Sequence, residues 1–246
     1  MVERTRRLLK EAEFTHRWYR QFLQRLSDDG YDFRTFSQGL DGGGEVILRH
    51  DVDLTIESAL EMARIEAELG IESTYCVLLT SALYNPLEAQ RREILREIDS
   101  LGHEVALHFS THEYWPSESP PTESALEDRV NEERSILDTV VPPTETVSFH
   151  RPPSWVLDCD FGGFENTYAP AYFSDIGYIA DSNQRWRKDP PKMDDLDESL
   201  QILTHPGLWG EDDTEFKKRV EMAVSRSCSH ASMNAHREFL NGDTGR

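Results

Sequence analysis

Short apolar runs alternate with helical stretches along the central part of this 246-residue chain, and this alternation limits the possible folds more than any other feature. Strand–helix–strand units with short connections require parallel strands, so the pattern predicts an α/β fold. Two architectures satisfy it: a closed or nearly closed (β/α) barrel, and an open doubly wound sheet. The predicted strands cover residues 46–48, 73–79, 104–109, 146–149, 178–180 and 200–203, and the predicted helices between the first four strands cover residues 55–70, 87–101 and 125–140.

The regions on either side of this pattern are predicted to be helical. Apolar positions recur at helical spacing over residues 4–27, and residues 215–240 are also largely of helical type. No internal repeat and no linker divides the chain. We therefore predict one domain over residues 1–246, with an N-terminal helix and lead-in (1–44), a barrel core (45–210), and a C-terminal helical segment and tail (211–246).

The chain is strongly acidic, with a formal net charge of −20. Such a surface repels the phosphates of nucleic acids and anionic membranes, so we expect neither as a partner. Excess acid with scarce lysine is favoured where high salt screens self-repulsion, and we therefore predict a halophilic source, with an ordinary acidic protein as the alternative. The lysines are Lys10, Lys188, Lys192, Lys217 and Lys218.

The sequence contains no recognisable targeting segment. Its first ten residues are charged and contain no apolar leader, and no apolar run is long enough to span a membrane. We therefore expect a cytoplasmic protein without a membrane span.

Three widely spaced cysteines (Cys76, Cys159 and Cys228) form neither a disulfide framework nor a zinc-knuckle pattern. No pattern in the sequence indicates an oligomeric state.

Polar side chains follow the predicted strands directly. Because all strand carboxyl ends of a parallel barrel point to one face, residues distant in the sequence are expected to converge there. Asp51 and Asp53 follow the first strand, His108 and His112 the third, Arg151 the fourth, Asp181 a later strand, and His205 the last.

Two of these clusters have the composition of a metal site. Asp51 and Asp53 alone could be a turn, a helix N-cap or the metal–nucleotide motif of a glycosyltransferase. His108 and His112, four residues apart, could also be an exposed pair that binds nothing. Taken together, two histidines and one carboxylate leave an open coordination position, as catalytic zinc sites require.

Two further residues have both a catalytic and an ordinary interpretation. His205 at a strand end could be a general acid or a packed histidine. Arg151 precedes two prolines and could equally make a surface ion pair.

The order and spacing of these motifs resemble the polysaccharide deacetylases of carbohydrate esterase family 4, also called the NodB homology domain. The resemblance runs from about Val46 to Trp209 and is nearest to an intracellular branch whose first motif reads Arg-His-Asp-Val-Asp, as residues 49–53 do here. It implies an irregular (β/α) barrel, often short of a strand. This is the barrel alternative of the two architectures above.

The resemblance also implies a role for each candidate residue. It implies Asp51 as catalytic base and Asp53, His108 and His112 as ligands of a divalent metal, most often zinc. It further implies that Arg151 orients the base and that His205, with Asp181 as its partner, is the general acid. Trp186 is loosely matched to the tryptophan that accompanies this aspartate in the family.

These roles predict a metal-dependent hydrolase that removes an acyl group, in the first place acetyl, from an N- or O-acylated sugar or glycan precursor. Hydrolysis of a small cyclic or linear amide on the same scaffold is the alternative, because a fold does not determine its substrate. A catalytically degenerate protein that binds glycan or metal is a third possibility. A glycosyltransferase would need a nucleotide-binding sheet before Asp51, where we predict only one helix.

Overall fold

The structure is a computed structural model that describes residues 12–240. Within that range eight strands form one sheet, and every pairing between them is parallel. Along the sheet the order is β6-β5-β4-β3-β2-β8-β7. The additional strand β1 pairs with the first three residues of β2, Glu45 to Ile47. The strands are β1 Asp32–Arg34, β2 Glu45–Val52, β3 Thr74–Leu78, β4 Glu104–Phe109, β5 Thr146–Phe149, β6 Glu165–Asn166, β7 Gly177–Ala180 and β8 Leu200–Thr204.

Helices connect the strands and cover the sheet. Three of the helices have a threonine as N-cap: Thr15, Thr55 and Thr122. In each case the threonine hydroxyl accepts a hydrogen bond from the backbone N–H of the residue three positions later. The helices are α1 His16–Asp28, α2 Ile56–Glu68, α3 Ala89–Ser100, α4 Glu123–Leu137, α5 Pro170–Phe173 and α6 Phe216–Ala235. None of the helices within residues 12–240 is long and apolar enough to cross a membrane.

The sheet curls into an incompletely closed barrel. Its end strands β6 and β7 do not pair with each other. Even so, Arg49 of β2 donates to Thr167 Oγ1 at 2.9 Å, and Gln201 of β8 donates to the Thr167 carbonyl at 2.9 Å. Side chains from the middle of the sheet can reach the residue that follows β6 only if the sheet curls around them. The predicted irregular barrel is therefore confirmed, and its open seam lies between β6 and β7.

Two apolar cores hold this barrel together. One lies between the strands and helices α2 to α4. The other buries α1 against β2 and β8, where Trp18 stacks on Phe22 and on Trp209 with ring centroids 5.4 and 5.7 Å apart. Burial of these large rings is the main force that fixes α1 to the barrel.

The element boundaries differ from the prediction in three places. Helix α1 begins at His16, and the part of the predicted helix that covers residues 4–11 lies outside the described residues. Strand β2 continues through Val52, because Arg49, His50 and Asp51 find partners inside the protein and stay buried. The short strands β1 and β6 were not predicted, since two or three residues show no period.

Candidate functional site

Three side chains converge at the carboxyl ends of β2, β4 and β5. Asp53 Oδ1 lies 3.2 Å from His108 Nε2 and 3.1 Å from His150 Nδ1, and the two nitrogens are 3.2 Å apart. A tetrahedral metal with bonds of about 2.0–2.1 Å has ligand atoms about 3.3 Å from each other. The three atoms therefore form a triangle of the size of one face of such a site, and their donor set fits a divalent cation.

The charges in this triangle support one another. Burial alone would raise the pKa of Asp53, but hydrogen bonds from His108 and His150 outweigh it and hold that pKa well below its usual range. Burial would lower the pKa of His150, yet the bond and charge of Asp53 raise it. Asp53 is therefore an anion at neutral pH, which is the state that binds a cation.

Ser148 and Asp51 determine which nitrogen of His108 carries the proton. Ser148 Oγ donates to Asp51 Oδ1 at 2.9 Å and lies 3.0 Å from His108 Nδ1. Because the serine proton is directed to the carboxylate, His108 Nδ1 must be the donor in the second bond. When His108 Nε2 gives up the proton that it donates to Asp53, its lone pair is directed towards the position enclosed by Asp53 and His150. Such partners behind a ligating histidine orient it and raise its basicity.

Asp51 is held by Arg49, which the sequence analysis did not single out. Arg49 donates to both oxygens of Asp51, from Nε at 2.9 Å and from Nη2 at 2.7 Å, and both side chains are buried. Burial would raise the pKa of Asp51, but the Arg49 guanidinium and His108 lower it to about 2. With Ser148 on Oδ1, one acceptor position remains on Oδ2. The period of two along β2 places residues 49, 51 and 53 on one face and could have revealed Arg49.

Arg151 does not take the position predicted for it. Its side chain is exposed and makes no hydrogen bond or ion pair with any residue in the range 12–240, while its backbone carbonyl lies 3.0 Å from His112 Nε2. Arg151 adopts a left-handed backbone with φ of 48° between His150 and the two prolines. In this structure the side-chain contact with Asp51 is made by Arg49 and not by Arg151.

His112 lies outside the triangle, and His150 occupies the third corner. After β4 the chain turns through a short 3₁₀ segment, Thr111–Glu113, which carries His112 to the surface beside Ser117 Oγ at 3.1 Å. His150 directly follows β5 and points inward. The prediction of His112 as third ligand therefore does not match this geometry. The signal for His150 in the sequence is its position at a strand end, the same criterion that selected His108 and Asp53.

Asp181 and His205 form a second group at the ends of β7 and β8. Asp181 Oδ1 lies 2.6 Å from His205 Nδ1, while Oδ2 accepts from the His205 backbone N–H at 3.1 Å and from Trp209 Nε1 at 2.8 Å. Burial would lower the pKa of His205, but the charge and hydrogen bond of Asp181 raise it to about 9. The tryptophan that contacts Asp181 is Trp209, whereas Trp186 packs in the core around α1.

A cavity of about 500 Å³ joins the two groups. His205 Nε2 lies 3.9 Å from Asp53 Oδ2, so a reacting atom placed at the triangle would also be within reach of the imidazole. Most of the remaining walls are apolar. The residues that line the cavity besides the two groups include Leu54, Phe149, Leu157, Tyr168, Phe173, Tyr178, Leu203, Leu208 and Phe216, with Ser182, Asn183 and Arg151 as polar members.

The fold and site together define an incompletely closed parallel (β/α) barrel with a carboxylate–histidine centre at its carboxyl face, where barrel enzymes carry their active sites. No family model matches the sequence. No curated protein matches it either.

Solved structures of carbohydrate esterase family 4 show a distant likeness. A pseudoenzyme of this family from Bacillus anthracis is 12% identical, with a TM-score of 0.42 over 75% of this chain and 60% of its own. A family 4 acetyl xylan esterase from Clostridium thermocellum, in complex with a cobalt ion, is 11% identical, with a TM-score of 0.42 over 76% and 84%. A deacetylase from Streptococcus pyogenes, in complex with acetate, is 16% identical, with a TM-score of 0.42 over 76% and 79%. The chain thus spans about three fifths of the length of the pseudoenzyme.

Proposed function

We propose that the protein is a metal-dependent hydrolase that removes an acyl group, acetyl in the first place, from an N- or O-acylated sugar or glycan precursor. The observation that carries this proposal is the triangle of Asp53, His108 and His150 with a charged His205 imidazole 3.9 Å from Asp53. A ligand set of one carboxylate and two imidazoles leaves a position open for substrate or water. The motif order is that of the family 4 deacetylases.

Asp53, His108 and His150 would hold the metal, and zinc suits this mixture of oxygen and nitrogen donors, as do other divalent ions. When bound, the metal would polarise the acyl carbonyl and acidify a water molecule. Ser148 and Asp51 keep the lone pair of His108 Nε2 directed to that position.

The protons would be moved by two residues on either side of the reacting bond. Asp51 would accept the proton of the attacking water at the free position of Oδ2, with Arg49 holding its carboxylate in place. His205 would donate a proton from Nε2 to the leaving atom, and Asp181 keeps this imidazole charged and oriented. Proton donation matters most for an amide, because an amine leaves only after it is protonated.

A small cyclic or linear amide is the second candidate substrate. The size of the cavity, about 500 Å³, favours it, since this is the range of small-molecule sites. Both candidates use the same residues in the same roles. A substrate panel with acetylated monosaccharides, a chito-oligosaccharide and cyclic imides separates them.

The first experiment measures metal content by inductively coupled plasma mass spectrometry after incubation with zinc and gel filtration. We expect about one equivalent in the wild type and loss of most of it in His108→Ala and His150→Ala. His112→Ala should retain its metal. His230→Ala is the matched control, because His230 lies on α6 and contacts Glu88, away from the site.

The outcomes separate the assignments clearly. Loss of metal in His112→Ala but not in His150→Ala would return His112 to the ligand set. No metal in any protein would overturn the metallohydrolase. One equivalent of metal without turnover on any member of the panel would favour a degenerate, binding protein.

A further inference from the structure

One side of the cavity is a continuous aromatic surface. Tyr168, Phe173 and Tyr178 contact one another, with ring centroids 5.4, 6.4 and 4.9 Å apart. Tyr168 follows β6, Phe173 ends α5 and Tyr178 lies on β7, so the three rings fill the seam where the barrel strands do not pair. We refer to these three side chains as the aromatic wall.

The aromatic wall presents mainly ring surface, together with the hydroxyls of Tyr168 and Tyr178. The Tyr168 hydroxyl already accepts from Arg49 Nη2 at 2.6 Å, and the Arg49 guanidinium lies 4.4 Å from the centre of its ring. Burial raises the pKa of Tyr168 and of Tyr178 above the ordinary value, so both rings remain neutral. A ligand in the cavity therefore meets an uncharged aromatic surface on this side.

The rest of the cavity has few groups for a sugar. Leu54, Leu203 and Leu208 line it near the two reactive groups. Outside those groups and the wall, the polar side chains of its lining are Arg151, Ser182 and Asn183. A sugar ring packed against these apolar walls would leave several hydroxyls without protein partners, and unpaired buried hydroxyls are unfavourable. The chemistry of the walls instead matches an apolar group.

We infer that the substrate places an apolar group larger than methyl, such as an aromatic ring or a medium-length alkyl chain, against the aromatic wall while its acyl carbonyl lies at Asp53, His108 and His150. This inference rests on the proposed function and changes one part of it, because the acyl group would then be larger than acetyl. The cavity of about 500 Å³ leaves room for such a group beside the reacting bond. Any sugar attached to it would lie nearer the polar lining residues Ser182 and Asn183, of which Asn183 is exposed.

The test uses hydroxamates, which combine a metal-binding head with a variable apolar group. Isothermal titration calorimetry of the zinc-loaded protein should give benzohydroxamate an affinity at least roughly tenfold above that of acetohydroxamate, because the ring buries additional apolar area. Phe173→Ala should bring this ratio close to one. Phe161→Ala is the matched control, since Phe161 is also half-buried but does not line the cavity, and it should keep the wild-type ratio.

A second measurement needs no metal. Saturation-transfer NMR of the metal-free protein should detect binding of benzamide but not of acetamide, with the benzamide signal lost in Phe173→Ala. Failure of the protein to load zinc would count against the proposed hydrolase. The benzamide measurement would then still show whether the aromatic wall binds an apolar group. Equal affinities of the two hydroxamates, or an absent benzamide signal in the wild type, would overturn the inference.

Discussion

At the scale of single residues, the two buried carboxylates of the site, Asp51 and Asp181, are each held from more than one side. Asp51 is bound by Arg49 and Ser148, and Asp181 by His205 and Trp209. A buried charge that loses its partner is strongly destabilising, whereas an exposed charge usually contributes little. This contrast separates the functions of the two arginines near the site.

Arg49→Met should lower the free energy of unfolding by about 3–5 kcal/mol, because it leaves Asp51 buried without its partner. Arg151→Met should change it by no more than about 0.5 kcal/mol, since the Arg151 side chain is exposed. Urea unfolding followed by tryptophan fluorescence measures both. Equal losses in the two variants would refute the assignment of Arg49 as the partner of Asp51.

Asp181→Asn should slow the hydrolysis of an amide by about 10²–10⁴-fold, because His205 loses the carboxylate that keeps it charged. The same variant should have a much smaller effect on 4-nitrophenyl acetate, whose leaving group departs without protonation. Steady-state rates on the two substrates give the comparison, with zinc content as a check that the metal site is intact. A similar loss on both substrates would point to a structural role for Asp181 instead.

At the scale of elements, helix α2 is joined to its neighbours by the buried carboxylate of Glu66. This side chain accepts from Tyr19 of α1 at 2.6 Å, from Tyr75 of β3 at 2.9 Å and from Ser73, and Oε1 lies 3.0 Å from His50 Nε2 on β2. Burial would raise the pKa of Glu66, but His50 and its other partners lower it to about 2. His50 in turn contacts Thr204 of β8 at 2.7 Å, directly before His205.

Because the pKa of Glu66 is lower in the folded than in the unfolded protein, its contribution to stability is complete above pH 4.5 and disappears as the pH falls towards 2. We expect this contribution to be about 3 kcal/mol. Glu66→Gln should therefore be less stable at pH 7 and should lose less stability on acidification than the wild type. Glu68→Gln on the same helix, with an exposed side chain, is the control. Parallel acid-unfolding curves for Glu66→Gln and the wild type would contradict this interpretation.

At the scale of the whole molecule, the net charge of −20 on 246 residues opposes the compact state through self-repulsion. Salt screens that repulsion over a Debye length of about 3 Å at 1 M. A halophilic source remains a prediction from composition, and its physical basis can be tested on the protein itself.

The midpoint of urea unfolding at pH 7 should rise between 0.1 M and 2 M KCl. Near pH 5, close to the isoelectric point of about 4.8, the same change in salt should have a much smaller effect, because the net charge is then near zero. This second pH separates charge screening from the general strengthening of apolar burial by salt. An equal rise at both pH values would argue against self-repulsion as the cause.

The order of strands and helices could be predicted from the sequence, and so could the face on which polar side chains gather. The period of apolar residues is local, and short connections impose parallel strands. Asp53, His108, Asp181 and His205 were predicted from their positions at strand ends, and the structure brings these four together.

Which side chains surround these four residues depends on the tertiary structure. The path of a loop carries His112 to the surface, while the end of a strand points His150 inward. The curl of the sheet, a long-range property, brings Thr167 to Arg49 and places an aromatic wall in the open seam. Local patterns in the sequence place polar residues at the strand ends, but whether each side chain points into the site depends on packing between segments that are far apart in the chain.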